Sequence, residues 1–148
     1  MSREILVPID GSEPASDALA FALEHHPDAD ITAYYVTDIP PFQGDQSFEP
    51  VKYESDIYEA QKEHAKQVLK DAEQMAREHD AEIGIDRERG YPRDEIIEYA
   101  EDHDIDQIIM GSHGRTGLTR LFVGSVAETV TRQAPVPVTI VRPESTED

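Results

Sequence analysis

Apolar positions along this chain recur with two different periods, and the two alternate. Ile5-Leu6-Val7-Pro8-Ile9 is an unbroken apolar run stopped by Asp10-Gly11-Ser12, the signature of a buried strand leading into a turn. Ser12 is then a helix N-cap and Pro14 suits a first helical turn. Ala15, Ala18, Leu19, Ala22 and Leu23 follow at helical spacing until the break near Pro27. Ile31 to Val36 is rich in β-formers and reads as a second strand. The stretch from Ile39 to about Pro50, extended in the loop assignment to residue 56, reads as an irregular connection and candidate lid.

The second half repeats the alternation. Ala65, Val68, Leu69, Ala72 and Ala76 mark the buried stripe of a long helix from about Ile57 to His79. Glu82 to Glu88, with Ile83 and Ile85 set among charges, predicts a peripheral third strand. Tyr91-Pro92 opens a helix with Ile96, Ile97 and Ala100 facing inward. Gln107 to Met110 is a fourth strand, Val123, Val126, Ala127 and Val130 form the stripe of a fourth helix ending before Pro135, and Pro137 to Val141 is the last strand, before a polar tail. Strands alternating with helices predict an α/β fold: a doubly wound, five-stranded parallel sheet with helices on both faces, of Rossmann-like type, in one domain spanning 1–148. Strand order 3-2-1-4-5 sets strands 1 and 4 side by side at the point where the winding reverses. The two loops with unusual chemistry, Asp10-Gly11-Ser12 and Gly111 to Gly117, then open into one crevice.

Charge changes the picture. Lys and Arg number 13 against 32 Asp and Glu, a net charge of −19, and only four lysines occur (Lys52, Lys62, Lys66, Lys70). That balance argues against a nucleic-acid partner, which needs a basic footprint. The acidic residues are spread along the chain and read as a solvated surface suited to high salt, with a cation-binding or basic-partner surface as the alternative. The chain has no cysteine, which removes disulfides, thiolate metal sites and cysteine nucleophiles together. No apolar run approaches the ~20 residues that span a bilayer, and Met1-Ser2-Arg3-Glu4 opens without signal-peptide architecture, so the expectation is a cytoplasmic protein without a membrane partner.

Candidate chemistry concentrates after strand 4, where Gly111-x2-Gly114-x9-Gly124-Ser125 joins a strand to a helix. Glycines let an anion approach the backbone, and the N–H groups and dipole of a helix start favour negative charge. With Pro8-Ile9-Asp10-Gly11-Ser12 ending strand 1, this pattern resembles the ATP-binding branch of the universal stress protein family, over essentially the whole chain from Ile5 to Arg142. The resemblance implies a phosphate-and-ribose loop at Gly111, Gly114, Gly124 and Ser125. It implies that Asp10 accepts from a ribose hydroxyl, that Pro8 and Val36 line an adenine pocket, and that Met110 packs on the nucleoside. Ser12 and Val126 complete the implied set. The implied cofactor is ATP with Mg²⁺ or Mn²⁺ held mainly by phosphate oxygens, and the implied partner is a second copy joined through the apolar last strand, Val138 to Val141.

Plainer alternatives stand beside each assignment. Loop glycines serve turn geometry, Asp10 serves a helix start, and Val36 and Met110 serve the core. His113 and Arg115 are phosphate candidates, with Arg120 a weaker one; the alternatives are an incidental histidine and surface ion pairs. No Walker A lysine follows the glycines, no Ser-His-Asp set is argued from spacing, and no base or γ-phosphate clamp can be named. The expected role is therefore an ATP-binding stress or signalling regulator without rapid turnover. The alternatives are a nucleotide-free adaptor of the same fold and a slow ATP-hydrolysing enzyme. A phosphoacceptor receiver is disfavoured, since only Asp10 follows strand 1 and no lysine follows the last strand.

Overall fold

Each apolar run becomes a strand with parallel neighbours, because every connection between strands carries a helix across one face of the sheet. The computed structural model describes residues 2–38, 51–112 and 124–142, with side chains of 51–56 set aside. The strands are β1 (Glu4–Ile9), β2 (Asp30–Asp38), β3 (Gly84–Gly90), β4 (Gln107–Gly111) and β5 (Val138–Val141). They form a five-stranded sheet in the order β3-β2-β1-β4-β5, parallel throughout. The helices are α1 (Glu13–His25), α2 (Val51–Glu78), α3 (Pro92–Asp102) and α4 (Ser125–Gln133).

Strand alternation divides the core into two layers. Ile5, Val7 and Ile9 of β1 face one way, with Ile31, Ala33 and Tyr35 of β2 and Ile109 of β4, and are covered by the apolar stripes of α1 and α2. Leu6, Tyr34, Ile108 and Met110 face the other way, under Ile96 and Ala100 of α3 and Ala127 and Val130 of α4. The central strands are buried on both faces. β3 is exposed along its length except at Gly90, so its charged residues sit at a sheet edge, as the mixed pattern predicts.

Three elements differ most in extent from the sequence expectation. α2 begins at Val51, not near Ile57. Residues 51–56 contain neither glycine nor proline and carry Glu54 and Asp56 near the helix start, where carboxylates favour the dipole; the irregular connection accordingly ends earlier. β2 runs on to Asp38 and β3 runs from Gly84 to Gly90, because the two strands pair over seven registers from Thr32↔Gly84 to Asp38↔Gly90. That long ladder holds a charged strand that its own apolar content would not.

One contact fixes how α1 meets the sheet. A Cβ built on Gly111, the last residue of β4, would lie 2.7 Å from the Pro14 carbonyl oxygen, 2.8 Å from its carbon and 2.9 Å from its Cβ. The obstruction is mostly backbone, which cannot swing aside. Gly111→Ala is expected to destabilise the fold by about 1–3 kcal/mol, the range for forcing a methyl into a filled core. Chemical denaturation at fixed salt checks this, and an unchanged midpoint would mean that α1 can shift at no cost.

Candidate functional site

β1 and β4 lie side by side at the centre of the sheet, and their carboxyl ends release two differently built turns. After β1, the Ser12 backbone N–H donates to Asp10 Oδ1 at 2.9 Å, closing a tight turn in which Gly11 takes φ +88°. That angle is the left-handed region that glycine enters without strain. Ser12 is extended, at φ −85° and ψ 162°, and its hydroxyl accepts from the Ala15 N–H at 3.3 Å. Pro14, which has no N–H, occupies the first turn. The amino end of α1 is thus satisfied largely by its own chain.

The turn after β4 is built otherwise. Ser112 is fully buried; its N–H donates to the Val141 carbonyl at 3.1 Å, and its carbonyl accepts from the Gly124 N–H at 2.7 Å. The chain therefore leaves the sheet at Ser112 and returns to the same point at Gly124. Gly124 is the N-cap of α4, at φ −66° and ψ 164°, and its carbonyl accepts from the Glu128 N–H at 2.9 Å. A glycine has no side chain to cap with, and among the described residues no side-chain cap hydrogen bond closes this helix start. The first amides of α4, those of Ser125, Val126 and Ala127, are the donors that an α-helix leaves without intrahelical partners. Of the two helices that follow the central strands, α1 caps itself and α4 does not.

Contacts link the two turns. Gly111 abuts Pro14, Ser112 bonds Gly124, and Ser12 bonds Asp10, so Asp10, Ser12, Gly111, Gly124 and Ser125 form one continuous edge. Asp10 is half-buried and Ser125 exposed. Pro8 lies opposite Tyr34 of β2, and the β1–β4 ladder comprises Ile5↔Gln107 and Leu6↔Ile108, so Pro8, lacking an N–H, falls beyond it. Val36 and Val126, both partly buried, pack on the α3/α4 core layer. Met110 is a member of that layer with 6% of its surface exposed, so its side chain chiefly fills the core. His113, Gly114, Arg115 and Arg120 lie outside the described residues.

Sequence reading missed one neighbour of this edge. A Cβ on Gly11 would meet Val68 Cγ2 at 3.1 Å and His64 Nε2 at 3.5 Å, so α2 sets His64 over the Asp10–Gly11 turn. The His64 ring also stands edge-on to Tyr35, with centroids 5.9 Å apart at 73°. The only signal in the sequence is the four-residue step from His64 to Val68, a residue of the α2 stripe. Among the described residues, no group of three or more His, Asp or Glu could hold a metal ion.

Comparison with known proteins gives a consistent picture. The sequence profile of the universal stress protein family matches residues 1–142. The chain is similar to a universal stress protein of Methanocaldococcus jannaschii, 38% identical over 147 residues and covering 95% of this chain and 82% of that one. Its structure is similar to that of universal stress protein UspA from Lactobacillus plantarum, with TM-score 0.78 and 30% identity over 95% of this chain and 97% of the other. The universal stress protein from Archaeoglobus fulgidus, whose structure is a complex with dAMP, shares the fold at TM-score 0.62 and 24% identity, covering 95% and 97% of the two chains.

The self-capped start of α1 generates an expectation. Ser12→Ala removes the acceptor for the Ala15 N–H and should cost about 1 kcal/mol of stability, as N-cap losses typically do. Thermal and denaturant unfolding read this directly; no loss would mean that water caps the helix equally well.

Proposed function

The chain belongs to the universal stress protein family, and on that premise we propose that it binds an adenine nucleotide, ATP foremost, in the crevice between the ends of β1 and β4. The observation that carries this reading is the start of α4: a helix N-terminus with a glycine cap, bonded at 2.7 Å to Ser112 at the end of β4. Uncapped amides and the positive end of a helix dipole suit phosphate. The glycine pattern of the sequence, with Gly114 in the loop between, agrees with that placement.

The remaining residues take roles consistent with their positions. Ser125 adds a hydroxyl and an N–H at the phosphate end. Asp10, anchored through Oδ1 by the Ser12 N–H, would accept from a ribose hydroxyl. Pro8 and Val36 would border the base, and Val36 can offer backbone groups to it. Met110 and Val126 would act mainly as the apolar wall behind it. His113 and Arg115 are candidates to approach the phosphates, and a positive charge there would offset the field of a chain with net charge −19. Mg²⁺ or Mn²⁺ would be held chiefly by the phosphate oxygens. That a protein of this fold has been solved with dAMP supports an adenine nucleotide as the ligand class.

The reading is of binding without rapid turnover in a nucleotide-dependent stress or signalling regulator. We further place a second copy along β5, which ends the sheet with Val138 to Val141 half-exposed, and the protein in the cytoplasm of a cell with high internal salt.

Titration calorimetry with ATP in molar potassium chloride and magnesium tests the reading. The wild-type protein is expected to bind, Gly114→Val to abolish the heat, and Asp10→Ala to weaken binding, with circular dichroism reporting that each variant is folded. A folded, salt-stable wild-type protein that gives no binding heat would overturn the proposal.

A further inference from the structure

At the far edge of the sheet, β3 and α3 enclose a cleft of about 320 Å³ that has no part in the crevice above. Its walls are acidic. α3 contributes Glu95, Glu98 and Asp102, and β3 contributes Asp86 and Glu88, five carboxylates against the single arginine Arg87, with His103 also in the lining. Carboxylates alone would be unremarkable on so acidic a chain. The floor is what sets this cleft apart. Tyr34, on β2, lines it with only 3% of its surface exposed, and its hydroxyl has no hydrogen bond to any described residue. A buried phenol without a partner gives up its hydration and gains no hydrogen bond in return.

The rest of the cleft is ordered. The Tyr99 hydroxyl donates to Asp86 Oδ2 at 3.0 Å, tying α3 to β3. The Tyr34 and Tyr99 rings meet with centroids 4.4 Å apart, and His103 stacks on Tyr99 at 3.7 Å. Glu95 is seated against Gly90, where a Cβ would come within 2.6 Å of its Oε2. Proton affinities report the field inside. Burial, then the charges of Glu98, Glu88 and Asp94, holds the Glu95 carboxyl above its ordinary range. Burial, then its bond to Asp86, pushes the Tyr99 phenol up to about 12. Burial and the surrounding carboxylates raise Tyr34 as well. Beyond burial, the neighbours that raise these groups are mostly carboxylates, whose charge favours a cation in the cleft.

The spacing selects among cations. No three of these groups converge as metal ligands would. Glu95, Glu98 and Asp102 instead run along α3 at three- and four-residue steps, about 5–6 Å between neighbours. Bridges of three or four methylenes between ammonium groups match such a row, and their carbons suit the tyrosine surface that lines the cleft. From this geometry we propose that the β3–α3 cleft binds a linear aliphatic polyamine. Its ammonium groups pair with the carboxylates of α3 and β3, and one N–H donates to the Tyr34 hydroxyl oxygen. The phenol, still protonated, can in turn donate to Glu88 or Glu95 once the ligand draws them together.

Spermidine is the probe, titrated calorimetrically into the full chain at an ionic strength fixed with potassium chloride. Saturable one-site binding is expected. The isosteric pair Glu95→Gln and Glu98→Gln should weaken it about tenfold or more, the equivalent of one or two charge-assisted hydrogen bonds. Tyr34→Phe should weaken it about fivefold while leaving the unfolding midpoint unchanged or higher, since it removes a buried polar group that the free protein leaves unpaired. A control pair on the opposite side, Glu13→Gln with Asp28→Asn, alters net charge equally and should leave affinity within about twofold. Non-saturable uptake, an equal loss in the control pair, or full affinity in Tyr34→Phe would each overturn the proposal, identifying a counterion atmosphere in place of a site.

Discussion

The absent side chain at Gly111 is the constraint on which the rest of this molecule turns. α1 follows β1 and crosses the face of the sheet, and its first turn comes down on the end of β4 so closely that Pro14 fills the place of a Cβ. That approach brings the turn after β1 against the turn after β4. Ser112 then holds the chain to β5 through Val141 and receives the returning chain through Gly124. Two loops far apart in sequence become one edge because a methyl group is missing between them. In the sequence Gly111 reads as making room for a ligand. In the structure its first duty is to make room for a helix, and the proposed ligand site is what that packing leaves above.

Helix starts are often offered as anion sites, so the contrast between α1 and α4 matters. Both follow central strands and both point their amino ends at the same edge. Ser12 satisfies α1 with its hydroxyl, whereas Gly124 leaves α4 to find acceptors elsewhere. Among the described residues, one helix start is thus closed by its own N-cap side chain and the other has none. Asp10 fits this division. A carboxylate beside the self-capped helix is suited to hydroxyl donors, and phosphate is drawn to the end that carries no acid from the β1 turn.

Much of this was legible in the sequence, for definite physical reasons. Buried parallel strands are apolar on both faces, so Ile5 to Ile9 and Gln107 to Met110 stand out as runs. The helices show their stripes, and Pro14 and Pro92 mark two of their starts. The central pairing of β1 with β4 followed from asking which two chemically unusual loops a common topology would join. What stayed hidden depends on contacts between distant segments. β3 is a charged strand held by its ladder to β2, so its ends are set by pairing and not by composition. His64 reads as one more surface histidine until α2 is laid across the Asp10–Gly11 turn. Tyr34 and Tyr35 are adjacent and identical, yet one belongs to each face of the sheet, and only the assembled cleft distinguishes the phenol without a partner. Met110 reads as a nucleoside contact or as core, and alternation along β4 sets its side chain in the core layer beneath α4.

Amide hydrogen exchange with and without ATP, in magnesium and high salt, is the most direct test of the central claim that the edge joining Asp10 to Gly124 is the nucleotide site. The account predicts that ATP slows exchange together at Gly11 and Ser12 and at Ser125 to Ala127, two segments that share nothing but this edge. Protection confined to β3 and α3, or none at the start of α4 while ATP is bound, would contradict it.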